Sequence, residues 1–148
     1  MLKKCLAALM TLLLCFAAVA IPQFLGEGLL FETGEYYIFY SLRAGSDAQI
    51  TIAEPSDAAK IKRSLSSLTG ESTVYGDAER TFAQAEKYDA RLIFRESAAG
   101  TDSYYYYSPR LGGGIELFGE LINLHIAVKD GGWAIGSPVI FRGYLKFF

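Results

Sequence analysis

The spacing of apolar and polar residues divides the chain into three parts. Residues 5–26 carry no charge, residues 27–90 mix strand-like and helix-like spacing, and residues 91–142 form a series of short strand-like runs. Alternation at every second position is typical of a half-buried strand, whereas a spacing of three to four positions is typical of a helix with one buried side. Each part therefore predicts a different kind of structure.

The middle part opens with two predicted strands. Residues 21–34 combine proline, glycine and apolar residues without a clear period, which indicates a tether or an entry segment of the fold. The aromatic and β-branched run Glu35–Leu42 then predicts a strand. After a turn, the alternation that begins at Ala48 predicts a half-buried strand with Ile50 and Ile52 on one face.

Two helices are predicted next. The first begins near Pro55, with Ser56 as its N-cap, and ends at Gly70. After a short strand over Glu71–Tyr75, the second helix begins with Asp77 as its N-cap. The apolar stripe of the first helix consists of Ala58, Ile61, Leu65 and Leu68, and that of the second of Ala78, Phe82, Ala85 and Tyr88.

The last part predicts an antiparallel meander. Its five strand-like runs are Arg91–Ser97, Ser103–Pro109, Gly114–Phe118, Leu121–Lys129 and Trp133–Arg142. The connections between them are short and rich in glycine, and such connections can join only antiparallel neighbours. The sequence therefore predicts an α+β fold, in which two helices pack on an antiparallel sheet with a C-terminal β-meander, after an N-terminal signal or anchor helix.

The uncharged first part is typical of a secretory leader. Lys3 and Lys4 precede the apolar run, and Ala18-Val19-Ala20 is a small-x-small site that places cleavage after Ala20. The alternative is an uncleaved anchor, because a helix of this length can span about 30 Å of hydrocarbon. Both alternatives place the residues from Glu27 onward outside the membrane. We therefore divide the chain into residues 1–26, a signal peptide or membrane anchor, and residues 27–148, a single extracytoplasmic domain.

Composition limits the disulfides, partners and cofactors that this domain can have. Cys5 and Cys15 both lie in the leader, so the domain has no disulfide and depends on its packed core. Outside the leader, 12 basic residues face 16 acidic ones, a net charge of about −4 that argues against nucleic acid as a partner. Gly112-Gly113-Gly114 lacks the lysine of a phosphate-binding loop, and no cofactor is predicted.

The predicted core residues are Ile50, Ile52, Ile61, Leu65, Phe82, Leu92, Phe94, Ile122, Leu124, Ile126 and Ile140.

Four consecutive tyrosines are the first candidate for a binding surface. In a strand, Tyr104 and Tyr106 point to one face, and Tyr105 and Tyr107 point to the other. One pair is expected in the core, and the other is exposed or lines a groove, where each ring offers a peptide or glycan an apolar face and a hydroxyl. The alternative is that tyrosine simply suits strands. Tyr105 and Tyr107 are the candidate binding residues.

His125, the single histidine, is the second candidate. It lies beside Asn123 on the face of the predicted strand opposite its apolar side chains. Such a pair can bind a polar ligand or pass on a proton, and the alternative is a purely structural histidine. The chain has no second histidine to complete a metal site and no cysteine in the domain to act as a nucleophile. No metal site and no catalytic residue are predicted.

Four segments resemble a known family of exported proteins. They are LTGES at 68–72, YYYYSPRL at 104–111, NLHIAV at 123–128 and GSPVIFRGY at 136–144. Over residues 35–144 the chain resembles the YwmB-like exported proteins of Gram-positive Firmicutes. The resemblance implies a fold similar to TATA-box-binding protein, with a curved antiparallel sheet, and a place outside the cell membrane. It carries over no catalytic residue.

Together these observations predict an exported, non-enzymatic binding or assembly domain at a Gram-positive cell surface. Its expected partners are an envelope protein or wall polymer, and the membrane itself if the leader stays uncleaved. The alternative is a cell-wall-active hydrolase, or an accessory to one, that uses His125. An acidic or basic side chain that converges on His125 in a cleft would favour the enzyme.

Export is testable with a topology reporter. We expect a reporter fused after Glu27 to be active outside the membrane and inactive inside, because Lys3 and Lys4 keep the start of the leader in the cytoplasm. The measurement is reporter activity in the two compartments of the host. Accumulation of the domain in the cytoplasm would contradict the prediction.

Overall fold

The computed structural model describes residues 28–42 and 48–140, together with Met10. The predicted leader, its cleavage after Ala20 and the end of the chain from residue 141 lie outside these residues. No helix in the part of the chain that the structure describes is long and apolar enough to cross a membrane.

Nine strands and two helices follow one another in the described part of the chain. They are β1 (Tyr37–Leu42), β2 (Ala48–Ala53), α1 (Pro55–Ser64), β3 (Leu68–Tyr75), α2 (Ala78–Lys87), β4 (Arg91–Ala98), β5 (Thr101–Tyr107), β6 (Ile115–Leu117), β7 (Glu120–Ile122), β8 (Leu124–Lys129) and β9 (Gly132–Ser137).

Seven of these strands form one antiparallel sheet. The strand order is β2-β1-β3-β9-β8-β5-β4, and β6 and β7 form a separate two-stranded ribbon. Both helices pack on the same face of the sheet, which we call the helix face. The α+β fold with two helices on an antiparallel sheet is therefore confirmed.

The core lies between the helices and the sheet. Leu124, Ile126 and Ile135 are fully buried on the central strands and pack with Ala85 of α2. A second cluster packs Ala58 of α1 against β1 and β2. Small side chains at this contact allow the helix to approach the sheet closely.

The segment before β1 belongs to the core, so of the two predicted alternatives its described part is an entry segment and not a tether. Phe31 is fully buried, and the Leu30 N–H donates to Glu71 Oε1 over 2.7 Å. Glu71 is itself buried on β3 and forms an ion pair with Lys62 of α1, with 2.7 Å between Nζ and Oε2. The Lys62 ammonium also donates to the Gly28 carbonyl oxygen. The sequence around Phe31 shows no period because its contacts are irregular.

The first helix is shorter than predicted. It follows Glu54 with Pro55 in its first turn, so Ser56 is not the N-cap, and it ends at Ser64. Gly70 lies in β3, where an added side-chain carbon would come within 3.1 Å of the Ser137 carbonyl oxygen and of the Tyr40 ring. Gly70 therefore permits close strand packing rather than ending a helix. The second helix has the predicted N-cap, since Asp77 Oδ1 accepts from the Arg80 N–H.

Four details of the predicted sheet are wrong. Ile52 is 50% exposed, because Ala53, in register with Tyr37, is the β2 residue that faces α1. Leu92 is also exposed, at 46%, near a bulge in the edge strand β4. The predicted run Gly114–Phe118 pairs with β7 outside the main sheet, and the run Leu121–Lys129 is broken between β7 and β8. The meander is thus interrupted by a hairpin.

Burial of the central strands predicts a matched pair of stability changes. Leu124→Ala should lower the free energy of unfolding by about 2–5 kcal/mol, because it removes a fully buried side chain. Leu92→Ala, the matched control at an exposed position, should change it by less than about 0.5 kcal/mol. Urea unfolding of both variants is the measurement. Equal effects of the two changes would show that the faces of the sheet are assigned wrongly.

Candidate functional site

A row of paired residues crosses the face of the sheet opposite the helices. The pairing of neighbouring strands fixes this row, because directly paired residues point to the same face. From β2 to β4 its members are Ile52, Ile38, Ser72, Gly136, His125, Tyr105 and Phe94. His125 and Tyr105 are therefore side by side, although 20 positions separate them in the sequence.

Three rings of this row form a continuous stack. The Tyr105 and His125 rings are nearly parallel, at 6°, with centroids 4.4 Å apart. Phe94 stacks on the other side of Tyr105 at 4.5 Å. This packing fixes the plane of the imidazole, because a buried ring between packed neighbours has little freedom to rotate.

A cavity of about 220 Å³ lies over this stack. The β6–β7 hairpin forms one wall, β5 and β8 form the floor, and the segment after β9 forms another wall. Its apolar lining residues are Ile115, Leu117, Ala127, Val139 and Ile140, and its polar ones are Glu96, Thr101, Ser103, Tyr105 and His125. The volume is above the roughly 150 Å³ of a cavity that holds benzene and below the usual size of a drug site, so a single ring or a short chain would fill it.

The hydrogen bonds of His125 determine which ring nitrogen carries its proton. The backbone N–H of Ile140 donates to Nδ1 over 3.1 Å. Nδ1 must therefore hold a lone pair, and the proton of the neutral ring lies on Nε2. Nε2 is buried and has no hydrogen-bond partner among residues 28–42 and 48–140. The side chain lines the cavity, while its Nε2 atom is shut off from solvent.

Gly136 makes this arrangement possible. An added side-chain carbon there would come within 2.8 Å of Ile140 and 3.0 Å of Ser72. The absence of a side chain lets the segment that follows β9 fold back over the sheet. The Ile140 N–H then reaches His125.

Burial keeps the imidazole neutral. Only 6% of the His125 surface is exposed, and the loss of water around the charged form lowers its pKa to about 4. In this neutral ring the proton occupies Nε2 and the Ile140 N–H occupies the lone pair of Nδ1. The ring therefore has no free lone pair with which to act as a general base.

A carboxylate lies at the far end of the Tyr105 ring. The Tyr105 hydroxyl donates to Glu96 Oε1 over 2.9 Å, and Glu96 is exposed on the edge strand. No carboxylate of the described residues hydrogen-bonds to His125. The lining of the cavity therefore includes a neutral imidazole, His125, and a carboxylate that is bonded to Tyr105, Glu96.

The structure brings two of the four predicted binding residues together and separates the other two. Tyr105 and His125 line the cavity, but Tyr105 is buried, so no row of exposed tyrosines exists there. Tyr107 is half-buried at the end of β5 and is not among the described lining residues.

Asn123 has a structural role. Its side chain is fully buried and holds the loop after β5 through three hydrogen bonds. They are Ser108 N–H to Oδ1 at 2.7 Å, Nδ2–H to the Ser108 carbonyl oxygen at 2.7 Å, and Nδ2–H to the Leu111 carbonyl oxygen at 2.9 Å. These bonds satisfy the amide, so no free group remains for a ligand.

Sequence reasoning missed Glu96, Ile140 and the hairpin wall. No local motif marks them, and only the register between β4, β5 and β8 places them around His125. No group of three or more acidic, histidine or cysteine side chains that could hold a metal occurs in the described part of the chain. Comparison with protein-family models, with curated proteins and with solved structures finds no match to this chain.

The lowered pKa of His125 predicts a specific loss of stability in acid. As the pH falls from about 6.5 to about 4, the unfolded chain binds a proton that the folded ring does not, so stability is lost across this window. At about 1.4 kcal/mol per pKa unit, the loss is about 3 kcal/mol. His125→Phe keeps a ring against Tyr105 but does not titrate. The free energy of unfolding of this variant, measured by denaturant at each pH, should fall less steeply over the same window than that of the native chain. Parallel curves for the two proteins would contradict the assignment of the loss to His125.

Proposed function

We propose that this chain is an exported, non-enzymatic binding domain at a Gram-positive cell surface, and that it holds its ligand in the cavity over Tyr105 and His125. One observation carries the proposal: a cavity of about 220 Å³ lies over the stacked rings of Tyr105 and His125, and apolar and polar side chains line it together. Concave sites of this mixed lining are typical of small-molecule binding.

Binding has more support than catalysis at this site. Nδ1 of His125 is occupied by the Ile140 N–H, and Nε2 carries the proton. The nearest charged group of the lining, Glu96, bonds to Tyr105 and not to the imidazole. The hydrolase alternative requires an acid or base that converges on His125, so it has less support.

The envelope location rests on the first residues and on charge. Lys3, Lys4 and the uncharged run that follows them are typical of export, and the acidic domain suits no nucleic acid. Membership of the YwmB-like proteins is part of the proposal, since the quoted segments and the α+β fold support it. Envelope proteins and wall polymer are the partners that such a location offers, and the membrane is a further one if the leader stays uncleaved.

A binding assay on the full-length chain tests the proposal. Purified wall polymer, membrane lipid and surface proteins are each offered to the native chain, to His125→Phe and to Glu79→Gln, a change on the exposed side of α2. We expect one fraction to bind the native chain and Glu79→Gln equally, and His125→Phe about tenfold more weakly, because the change replaces a polar ring that lines the cavity.

Two outcomes would contradict it. Equal binding by His125→Phe would place the ligand elsewhere. Turnover of wall polymer that disappears in His125→Phe while the fold persists would favour the hydrolase. Trp133, the only tryptophan, packs on the helix face against Phe82, so its fluorescence reports the fold independently of the cavity.

A further inference from the structure

The two edges of the main sheet differ in how they are protected from pairing with another chain. The edge strand β4 carries Arg91, Arg95 and Glu96, and a bulge interrupts its register. Charges and bulges of this kind discourage an edge strand from accepting a further strand. The other edge strand, β2, has neither feature. Its sequence, AQITIA, includes no charged residue and no proline, and it pairs with β1 in unbroken register.

The outer side of β2 is open. In an edge strand, alternate N–H and C=O groups point away from the sheet and need a partner. Among the described residues, the backbone of β2 is paired only with that of β1. Ile52, beside this edge, is 50% exposed. An open edge with apolar side chains favours the addition of another strand.

A second copy of β2 is complementary to this edge. In an antiparallel pair of copies centred on Thr51, Ile50 of each copy lies directly across from Ile52 of the other. Gln49 lies across from Ala53 in the same way. Opposed β-branched side chains stabilise a sheet, and this pairing brings no like charges together within the strand.

The position of α1 favours a second copy over an unrelated strand. This helix packs on both β1 and β2, so its axis lies about half a strand spacing inside β2. The two-fold axis between paired copies lies another half spacing outside β2. With strands about 4.8 Å apart, the two α1 helices would therefore run about 10 Å apart, which is the distance at which helices pack.

The charges of α1 are complementary to those of a second α1. Lys62 reaches toward the centre of the sheet, where it pairs with Glu71 on β3. Asp57 and Lys60 are exposed and point about 140–160° away from Lys62 around the helix, toward the outer side of β2. Because the two helices run antiparallel across a two-fold axis, Asp57 of one copy faces Lys60 of the other.

We infer that β2 is the interface of a symmetric dimer, in which the β2 strands of two copies pair antiparallel about Thr51 and their α1 helices pack side by side. The two-fold axis is perpendicular to the sheet, so both copies of the cavity over Tyr105 and His125 lie on the same side of one continuous sheet. The dimer does not depend on the proposed ligand site, which lies over β5 and β8 at the other end of the sheet.

Matched lysine substitutions at the two edges test the interface. Ile52→Lys on β2 and Leu92→Lys on β4 each place a charge at an exposed apolar position, 50% and 46% exposed. The full-length chain is measured by sedimentation equilibrium in a non-ionic detergent that covers its apolar first residues. We expect the native chain and Leu92→Lys to dimerise equally, and Ile52→Lys at least about tenfold more weakly, because its ammonium would lose water at the interface.

Exchanging the charges of α1 tests whether the partner is a second copy. Asp57→Lys and Lys60→Asp should each weaken the dimer about three- to tenfold, because like charges then face one another across the axis. A mixture of the two variants should dimerise as tightly as the native chain, because each lysine of one variant faces an aspartate of the other. Trp133 fluorescence confirms that every variant is folded.

Each contrary outcome has a definite meaning. A native chain that stays monomeric at millimolar concentration would overturn the dimer. Equal weakening by Ile52→Lys and Leu92→Lys, or by neither, would place the contact outside β2. A mixture of the charge variants that stays weak would overturn the two-fold arrangement in favour of an unrelated strand on β2. Binding of an envelope fraction to monomeric Ile52→Lys would leave the proposed function standing while the dimer fails.

Discussion

The buried ion pair between Glu71 and Lys62 is the interaction that holds the separate parts of this fold in one arrangement. Glu71 lies on β3, near the middle of the sheet, and is fully removed from water. Its two oxygens connect the sheet to α1 through Lys62 and to the leading segment through the Leu30 N–H. A buried carboxylate is tolerated only when such partners surround it, and loss of one partner from a buried pair costs about 3–5 kcal/mol. Helix, sheet and leading segment therefore have to dock together.

The candidate site lies on the face of the sheet opposite the helices, where a different interaction fixes the geometry. Among the described residues of that face no ion pair fixes the geometry, and the cross-strand register does so instead. A slip of one residue between β5 and β8 would move His125 to the helix face and dissolve the stack with Tyr105. The fully buried neighbours Leu124 and Ile126 prevent this slip, because it would expose both of them. The core on one face thus sets the precision of the cavity on the other.

Much of the architecture could be predicted from local patterns, and the site could be predicted only in part. The helix over Ala78–Lys87 and the alternation around His125 follow from periodicity and capping, which are local properties. Ile50 and Ile52 pair with Tyr40 and Ile38 and lie on the face away from the helices. The cause is non-local, since the small side chain of Ala53 is what lets α1 approach. Periodicity shows that a strand has two sides, but it does not show which side the helices cover.

The same limit explains why the candidate site could be predicted only in part. The notable spacing of Asn123 and His125 predicted a pair, yet the strand breaks between them and the amide holds a loop instead. The partner that matters to His125 is the Ile140 backbone, which has no sequence signature. Tyr105 was predicted as one half of a pair that is exposed or lines a groove. It lines the cavity, and its neighbours there come from the pairing of three strands.

The position of β9 in the sheet sets the order in which the fold can be completed. It is the last strand of the described chain, yet it lies in the centre, between β3 and β8. Until it pairs, β2-β1-β3 and β8-β5-β4 are two separate three-stranded sheets with unpaired inner edges. A chain that emerges with its N-terminus first therefore cannot join its two halves until residue 137 has appeared. During that interval the open edges of β3 and β8 are the surfaces that a chaperone would need to cover.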